Sequence, residues 1–349
     1  MTENHKRLVF FESWMDPAAE RLLGERSDIE LSGLSFSRPA EENWPELERA
    51  HGYHVLPNGE LREPFFADRR LIARCPHLLA ITSTGAGYDM IDVDACTEAG
   101  ILVSNQTGAN KEAVAQHVLG MMLGLTKRII QADRALRRDR AWDRMDYTGQ
   151  ELIGKTVGII GVGNIGTQVS RLCGGLFGMS VVGYDPYLTA QEFAERGAEP
   201  VQLEALLRDA DFVSVNCPLT AETRGMIGAD AFASMKPSAY FITTARGGIH
   251  DEVALVSALD QELISGAGVD VWLTEPPPLD HPLLAFDNVL ATPHIAGITQ
   301  EARYNMAIGA AWQWVAIFQG ERPLRLVNPQ AWPRFADRFE GLFGPVAAP

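Results

Sequence analysis

The side chains best suited to chemistry are an arginine, a glutamate and a histidine that lie far apart in the sequence. Arg246 stands in TTARGG, Glu275 in DVWLTEPPP and His294 in ATPHIAG. A guanidinium fork can hold a carboxylate and polarise the adjoining ketone, and an imidazole can donate a proton near neutral pH. A neighbouring carboxylate would orient the imidazole and favour its charged form. These are the groups needed to reduce a 2-keto acid, provided that a hydride donor binds beside them.

A glycine-rich turn, GIIGVGNIG from Gly158 to Gly166, is of the kind that holds the pyrophosphate of a dinucleotide. An apolar strand pattern precedes it and a helical pattern follows it, which is the context that such a site needs. Gly161 would allow the tight turn, Gly163 the approach of the pyrophosphate and Gly166 close packing of the helix. The amides at the start of that helix would then bind the phosphates.

Asp185 is predicted to select NAD. It lies nineteen residues beyond Gly166, at the end of the predicted strand SVVGYD. A carboxylate at this place can accept hydrogen bonds from both ribose hydroxyls of NAD and repels the 2'-phosphate of NADP. The alternative is a turn residue that only precedes Pro186.

Short β-rich runs alternate with helical patterns, which predicts parallel sheets covered by helices. RLVFFE is predicted as the first strand, before a helix that Asp16 caps and Pro17 begins. A long helix is predicted from about Asn110 to Ile130, because apolar residues recur there at helical spacing. Further strands are LLAITS, GILVSN, TVGIIG, SVVGYD, DFVSVN, AYFITT, GAGVD and NVLAT.

The three reactive side chains each follow a predicted strand. Arg246 comes after AYFITT, Glu275 after GAGVD and His294 after NVLAT. Open α/β sheets bind their ligands at the carboxyl ends of the strands. We therefore expect these side chains to lie together at one edge of one sheet.

Composition excludes several classes of protein. The 349 residues, 46% of them hydrophobic and 21% charged, predict about two globular domains. A net charge of -15 argues against binding to nucleic acid or to anionic membranes, which require clustered basic residues. No N-terminal apolar run has the length of a signal or membrane segment. The four cysteines have no CxxC spacing, so we expect neither disulfides nor a metal site, and a cytoplasmic location.

From about Leu8 to Pro329 the chain resembles the D-isomer-specific 2-hydroxyacid dehydrogenase family. The resemblance implies two doubly wound α/β domains of parallel sheet, a Rossmann NAD-binding domain at 107–298 inserted in a flavodoxin-like substrate-binding domain at 1–106 and 299–329. It also implies a homodimer and NAD-dependent hydride transfer at C2 of a D-2-hydroxy acid. Residues 330–349 form an extension, predicted as a short amphipathic helix on the first domain, with a dimer contact or partial disorder as alternatives.

The resemblance also assigns site residues. Asp270 matches the residue that holds the nicotinamide carboxamide, although it could instead cap the end of its strand. Substrate contacts are implied for a turn after a strand of the first domain and for the start of the long helix, at Thr84, Gly85, Ala86, Gly87 and Asn110, beside Arg246. Cofactor contacts are implied at Gly161, Gly163, Asn164, Ile165, Gly166, Asp185, Pro186, Cys217, Pro218, Thr244, Ala245, Asp270 and Gly297.

Two positions depart from the usual family pattern. Asn216 stands in SVNCPLT where most members carry histidine, which resembles the formate dehydrogenase branch. That branch generally has glutamine as the partner of the histidine, so Glu275 favours a keto acid over formate. Gln116 stands where the family often has glutamate. A further alternative is an NADH-sensing corepressor of the C-terminal binding protein type, which shares the fold, the NAD site and the three side chains.

The identity of the acid is left open among 3-phosphoglycerate, hydroxypyruvate, glyoxylate and lactate-sized acids. His51 and His54 are predicted to lie in a loop, and His117 to be packed on the apolar face of the long helix. Three arginines of PNGELREPFFADRR could bind a phosphate or a second carboxylate, or could be ordinary surface residues: Arg62, Arg69 and Arg70.

Overall fold

The computed structural model describes residues 5–56, 61–138 and 143–346. The chain divides into two compact units. Unit 1 consists of Met1–Asn110 and Thr299–Pro349, and unit 2 of Lys111–Ile298. Among the helices of the described residues, none combines the length and the apolar character needed to cross a membrane.

Unit 1 is built on a five-stranded parallel sheet with the order β2-β1-β3-β4-β5, the flavodoxin-like order. Its strands are β1 (Lys6–Phe11), β2 (Ile29–Leu34), β3 (Gly52–Val55), β4 (Ala80–Ser83) and β5 (Leu102–Ser104). Its helices are α1 (Pro17–Gly24), α2 (Ala40–Glu48), α3 (Arg69–Arg74) and α4 (Val93–Ala99), with α12 (Gln300–Phe318) and α13 (Trp332–Phe343) from the C-terminal segment.

Alternate side chains of β1 enter two separate cores. Leu8 and Phe10 join one cluster with α12 and α13, whereas Val9 and Phe11 join a second cluster on the opposite face. The sheet is therefore covered on both faces. The predicted cap of α1 is present, since the Ala18 amide donates to Asp16 Oδ1 over 2.9 Å.

The C-terminal extension forms the amphipathic helix that its aromatic spacing predicts. Phe335 and Phe339 of α13 are buried in the cluster that also contains Trp314 of α12. This helix thus closes the core of unit 1.

The prediction that His51 and His54 lie in a loop is wrong for His54, which is a buried residue of β3. Its ring stacks on Trp14 and accepts a hydrogen bond at Nδ1 from Trp314 Nε1. The strand GYHV contains two polar or small residues, so its pattern does not distinguish it from a loop. Burial lowers the pKa of His54 to about 3, which keeps the imidazole neutral.

Unit 2 is built on a seven-stranded parallel sheet with the order β12-β11-β10-β9-β6-β7-β8. Its strands are β6 (Thr156–Ile160), β7 (Ser180–Tyr184), β8 (Glu199–Pro200), β9 (Phe212–Val215), β10 (Tyr240–Thr243), β11 (Gly266–Val269) and β12 (Val289–Ala291). Its helices are α5 (Lys111–Thr126), α6 (Ile129–Arg138), α7 (Asn164–Phe177), α8 (Ala190–Glu195), α9 (Leu203–Asp209), α10 (Ala229–Ser234) and α11 (Glu252–Asp260).

The order of these strands reverses between β6 and β9. From β6 the chain proceeds outward to β7 and β8, and then returns to β9 on the other side of β6. Doubly wound sheets bind dinucleotides at the carboxyl ends of the strands at such a reversal. The predicted class, two doubly wound parallel-sheet domains, is confirmed, and the two-residue strand β8 was not expected.

The long helix predicted from Asn110 to Ile130 is in fact two helices. α5 ends at Thr126, and Arg128 adopts a left-handed conformation with φ of 52° while its amide donates to Leu125 O. A left-handed residue just after a helix is a common way to end it, and the usual residue there is glycine. Because the residue here is arginine rather than glycine, the sequence does not indicate that the helix ends.

Candidate active site

The predicted catalytic and cofactor residues of unit 2 all lie at the carboxyl edge of its sheet. The glycine turn follows β6, Asp185 follows β7, and Cys217 with Pro218 follows β9 by one residue. Thr244, Ala245 and Arg246 follow β10, Asp270 follows β11, and the segment with His294 and Gly297 follows β12. Because the sheet is parallel, these loops share one edge, as the sequence predicts.

His294 and Glu275 form a direct pair. His294 Nδ1 lies 2.7 Å from Glu275 Oε2, and the two side chains are 20% and 29% exposed. The other carboxylate oxygen of Glu275 accepts a hydrogen bond of 3.1 Å from the Trp272 amide. The carboxylate is thus fixed on one side by the backbone and orients the imidazole on the other.

Glu275 is held in its charged form. Partial burial acts to raise its pKa, but the hydrogen bonds from His294 and the Trp272 amide and the charge of Arg246 outweigh this effect. The pKa of Glu275 consequently lies below its ordinary value of 4.5. Near neutral pH the residue is an anion and can accept, but not supply, a proton.

His294 adopts an unusual backbone conformation, with φ of 56°. A left-handed conformation of a residue with a β-carbon costs about 1 to 2 kcal/mol, so neighbouring bonds must hold it. The His294 amide donates to Asp270 O over 2.7 Å. The next two amides, of Ile295 and Ala296, each donate to the Asp270 carboxylate over 2.9 Å.

Asp270 is therefore the residue that holds this turn. Its side chain is 0% exposed, and Oδ1 also accepts a hydrogen bond of 2.6 Å from the Thr292 hydroxyl. These hydrogen bonds fit the alternative prediction for Asp270, a residue that caps the end of its strand. Its contact with a nicotinamide carboxamide stays a prediction.

Trp272 connects the two loops that carry Glu275 and His294, and its role was not predicted from the sequence. Its indole Nε1 donates to Thr292 O over 3.0 Å, while its amide binds Glu275. The signal in the sequence is weak, since a tryptophan three residues after a buried strand is an ordinary core residue. Its role becomes visible only when the loops after β11 and β12 are placed side by side.

Arg246 lies close to this pair within unit 2. Its Nη1 donates to Ala245 O over 2.7 Å, and its charge lowers the pKa of Glu275. The next residue, Gly247, has room for hydrogen only, because a β-carbon there would lie 1.9 Å from Trp272 O. The loop after β10 is thereby brought directly against the loop after β11.

The glycine turn has the geometry of a dinucleotide site. Gly161 has φ of 87°, and a β-carbon on Gly166 would lie 2.2 Å from Gly161 O, so the helix packs directly on the turn. A β-carbon on Gly163 would meet nothing within 4 Å. α7 begins at Asn164, so its first amides face this open position. The residues present therefore fit a pyrophosphate at Gly163.

Asp185 is held in place by the same turn. Its Oδ2 accepts a hydrogen bond of 3.1 Å from the Val162 amide, and Oδ1 accepts one from the Tyr187 amide. Arg196 Nη1 donates to Val162 O over 2.6 Å. The carboxylate thus lies beside the glycine turn, half-buried at the end of β7, where a ribose contact requires it.

Several buried polar atoms have no hydrogen-bond partner within the described residues. Among them are Asn216 Oδ1 and Thr244 Oγ1, on the loops after β9 and β10. Asn216 Nδ2 donates to Ser214 Oγ over 3.0 Å, which fixes the amide. Buried groups of this kind are usually satisfied by a ligand or by water. Groups of three or more possible metal ligands are absent from the described residues.

The predicted substrate turn of unit 1 is held through its carbonyl oxygens. The carbonyl oxygens of Gly85 and Ala86 accept hydrogen bonds from the Gln106 amide and Asn105 Nδ2, over 2.8 and 2.7 Å. In a planar trans peptide the N–H points away from the C=O. The amides of Ala86 and Gly87 therefore point away from Asn105 and Gln106, as in an anion-binding turn.

The positions of Thr84 and Asn110, the other predicted substrate residues of unit 1, do not by themselves indicate a substrate contact. Thr84 is buried, and its hydroxyl is bonded to His54 Nε2. Asn110 is half-buried in the turn at the end of the first segment of unit 1.

The structure favours the prediction that Arg62, Arg69 and Arg70 are ordinary surface residues rather than a phosphate site. Arg69 Nη1 donates to Glu98 Oε2 over 2.6 Å, and Arg70 Nε donates to Asp68 Oδ2 over 2.9 Å. Arg62 is exposed. Two of these charges are thus compensated by carboxylates of unit 1, which weakens the prediction of a phosphate site.

Comparison with known proteins gives a consistent result. The chain is 36% identical over 326 residues to the glyoxylate reductase of Aeropyrum pernix, covering 92% of this chain and 95% of that protein. It is 39% identical over 261 residues to the D-3-phosphoglycerate dehydrogenase of Archaeoglobus fulgidus, covering 75% of this chain. The alignment spans only about half of that relative, 49% of its length.

Among solved structures, the D-lactate dehydrogenase of Aquifex aeolicus, complexed with NAD and lactic acid, superposes with a TM-score of 0.79. It is 27% identical, and the alignment covers 92% of this chain and 99% of that chain. Residues 119–296, more than half of the 349, match the NAD binding domain of the D-isomer specific 2-hydroxyacid dehydrogenases. The chain belongs to the D-isomer specific 2-hydroxyacid dehydrogenase family.

Proposed function

We propose that this protein transfers a hydride between NAD and C2 of a D-2-hydroxy acid or the corresponding 2-keto acid. The observation that carries the proposal is the 2.7 Å contact between His294 Nδ1 and Glu275 Oε2, on loops that adjoin Arg246 and share the carboxyl edge of the sheet with the glycine turn. A paired imidazole and carboxylate provide a proton relay, which this reaction needs and formate oxidation does not. Family membership supports the same activity.

The three side chains have separate tasks. Arg246 binds the substrate carboxylate and polarises the carbonyl at C2. Because Glu275 engages Nδ1 of His294, the proton passes through Nε2. During reduction His294 gives that proton to the carbonyl oxygen. NADH, when bound at the glycine turn, would supply the hydride that C2 receives. During oxidation neutral His294 removes the hydroxyl proton.

NAD would be held by the turn at Gly161, Gly163 and Gly166, with its pyrophosphate at the start of α7. Asp185 would accept hydrogen bonds from the adenosine ribose. The other predicted cofactor residues lie on loops at the same edge and would line the site: Asn164, Ile165, Pro186, Cys217, Pro218, Thr244, Ala245, Asp270 and Gly297.

Unit 1 is proposed to supply further substrate contacts. The amides of Ala86 and Gly87, which point away from Asn105 and Gln106, suit a carboxylate, and the resemblance implies contacts from Thr84, Gly85 and Asn110 as well. On this proposal residues 1–106 and 299–329 act as the substrate-binding domain and 107–298 as the NAD-binding domain.

We further propose a homodimer in the cytoplasm. α6 contributes no buried residue, and Ile129 and Leu136 on it are each 54% exposed, which favours a covering partner such as a second copy. All four cysteines are thiols, which suits a reducing compartment. Light scattering tests the dimer: Leu136→Glu should give a monomer, and an unchanged mass would place the interface elsewhere.

The test of the activity is NADH oxidation against glyoxylate, hydroxypyruvate, pyruvate and a phosphorylated keto acid, with formate and NAD as the opposing assay. We expect turnover of at least one keto acid and a fall of about 10²- to 10⁴-fold in His294→Ala. Turnover of formate alone would support the formate branch. NADH binding without turnover of any acid would support a sensor instead.

A further inference from the structure

His117, on α5, is hydrogen-bonded to the turn that carries His294. Its Nε2 lies 3.1 Å from Thr292 Oγ1, and the Thr292 hydroxyl in turn donates to Asp270 Oδ1 over 2.6 Å. A hydroxyl has only one proton. Since Thr292 gives that proton to Asp270, its oxygen accepts from His117, and His117 Nε2 must carry a hydrogen. The three side chains therefore form a directed chain of hydrogen bonds.

This chain ends at the residue that fixes His294. Asp270 accepts the amide of His294 at its carbonyl oxygen and the next two amides at its carboxylate. Thr292 is itself the first residue after β12. The series of hydrogen bonds therefore holds the segment from Thr292 to Ala296 at both of its ends. His117 also lies 3.8 Å from Asp270 Oδ1, on the side of the carboxylate that Thr292 occupies.

We propose that His117 is a positioning residue for the acid–base histidine, an inference that rests on the proposed function. Through Thr292 and Asp270 it keeps the segment 292–296 in the one arrangement that directs His294 Nδ1 to Glu275. Without the donor of His117, the hydroxyl of Thr292 is held by one hydrogen bond instead of two and the side chain can rotate. The carboxylate of Asp270 then loses its fixed partner, and the imidazole spends less time in the reactive orientation.

A double-mutant cycle tests the chain. His117→Leu and Thr292→Val should each lower kcat for the keto acid about tenfold, the effect expected of one lost hydrogen bond. The combined variant should be no slower than the worse single variant, because both changes break the same chain. His117→Gln, whose amide nitrogen can donate to Thr292, should restore kcat to within about twofold of wild type.

A matched control and two further measurements separate positioning from folding. Gln116→Leu makes a comparable change at the neighbouring, exposed position of α5 and should leave kcat unchanged. The NADH dissociation constant and Tm of the His117 and Thr292 variants should stay near wild type. In the NADH-bound protein, the imidazole NMR signals of His294 should shift in His117→Leu and Thr292→Val but not in Gln116→Leu.

A normal kcat in His117→Leu would overturn the proposal, and so would fully additive effects of the two substitutions on kcat. It would also be overturned if Tm and NADH affinity fell in parallel with kcat and His117→Gln did not restore them. If wild type turns over no keto acid, the proposed function fails separately. The NMR result then decides the positioning role alone: unchanged His294 signals in both variants would refute it.

Discussion

Gly163 and Gly166 of the cofactor turn should respond to substitution by alanine for different physical reasons. In Gly166→Ala the new methyl would start 2.2 Å from Gly161 O. An ordinary contact is about 1 Å longer, so α7 or the turn must move, and overpacking of this kind costs about 1 to 3 kcal/mol. In Gly163→Ala the methyl meets nothing within 4 Å, and the cost comes from the backbone, since φ of -76° with ψ of -148° is a conformation that alanine adopts less readily than glycine.

Gly163→Ala should therefore lose about 1 kcal/mol of stability, the cost of a less favoured backbone conformation, but bind NADH about 10- to 100-fold more weakly. The methyl would occupy the place of the pyrophosphate and remove about 1 to 3 kcal/mol of hydrogen bonding to backbone amides. Gly166→Ala should lose both stability and affinity.

Urea denaturation without cofactor and fluorescence titration with NADH measure the two effects. Gly175→Ala is the control, because it lies in the same helix with open space around its β-carbon position and should gain about 0.5 to 1 kcal/mol. Normal NADH affinity in Gly163→Ala would refute the placement of the pyrophosphate. Normal stability in Gly166→Ala would show that the helix does not pack on the turn as described.

Three further substitutions test the proposed roles of Asp185, Arg246 and Glu275. Asp185→Ala should narrow the preference for NAD over NADP by about 1 to 3 kcal/mol, as measured from the two dissociation constants, and an unchanged ratio would remove Asp185 from that role. Arg246→Lys keeps the charge but loses the fork, so kcat/KM should drop about tenfold or more at unchanged NADH affinity; near-normal turnover would contradict the clamp. Glu275 has a pKa below 4.5 in the folded protein, so its stabilising effect is complete above that pH and is lost as the pH falls through the folded value. Glu275→Gln should accordingly be less stable than wild type at pH 7 and converge with it in acid, whereas a constant difference in denaturation experiments would refute the linkage.

The fold could be predicted where local pattern and physical requirement coincide. The apolar strands of unit 2, the Asp16 cap and the glycine turn each depend on a few adjacent residues, and the structure contains all of them. The break in the long helix could not be predicted, because an arginine occupies the left-handed position. The strand around His54 was missed because tertiary burial, rather than an apolar pattern, stabilises it.

The sequence predicts which side chains lie at this edge of the sheet, but not how they are held there. The reactive side chains could be found because each follows a strand, and strand ends of a parallel sheet share an edge. What holds them depends on contacts between residues more than twenty positions apart, such as Asp270 with Ala296 and His117 with Thr292. No spacing rule describes such pairs, because loop lengths after different strands are independent of one another. The left-handed conformation of His294 is the clearest consequence: nothing near it in sequence favours that conformation, and the buried carboxylate of Asp270 is what stabilises it. A histidine held in this way can keep one nitrogen on Glu275 and present the other for proton transfer, which a relaxed turn would not ensure.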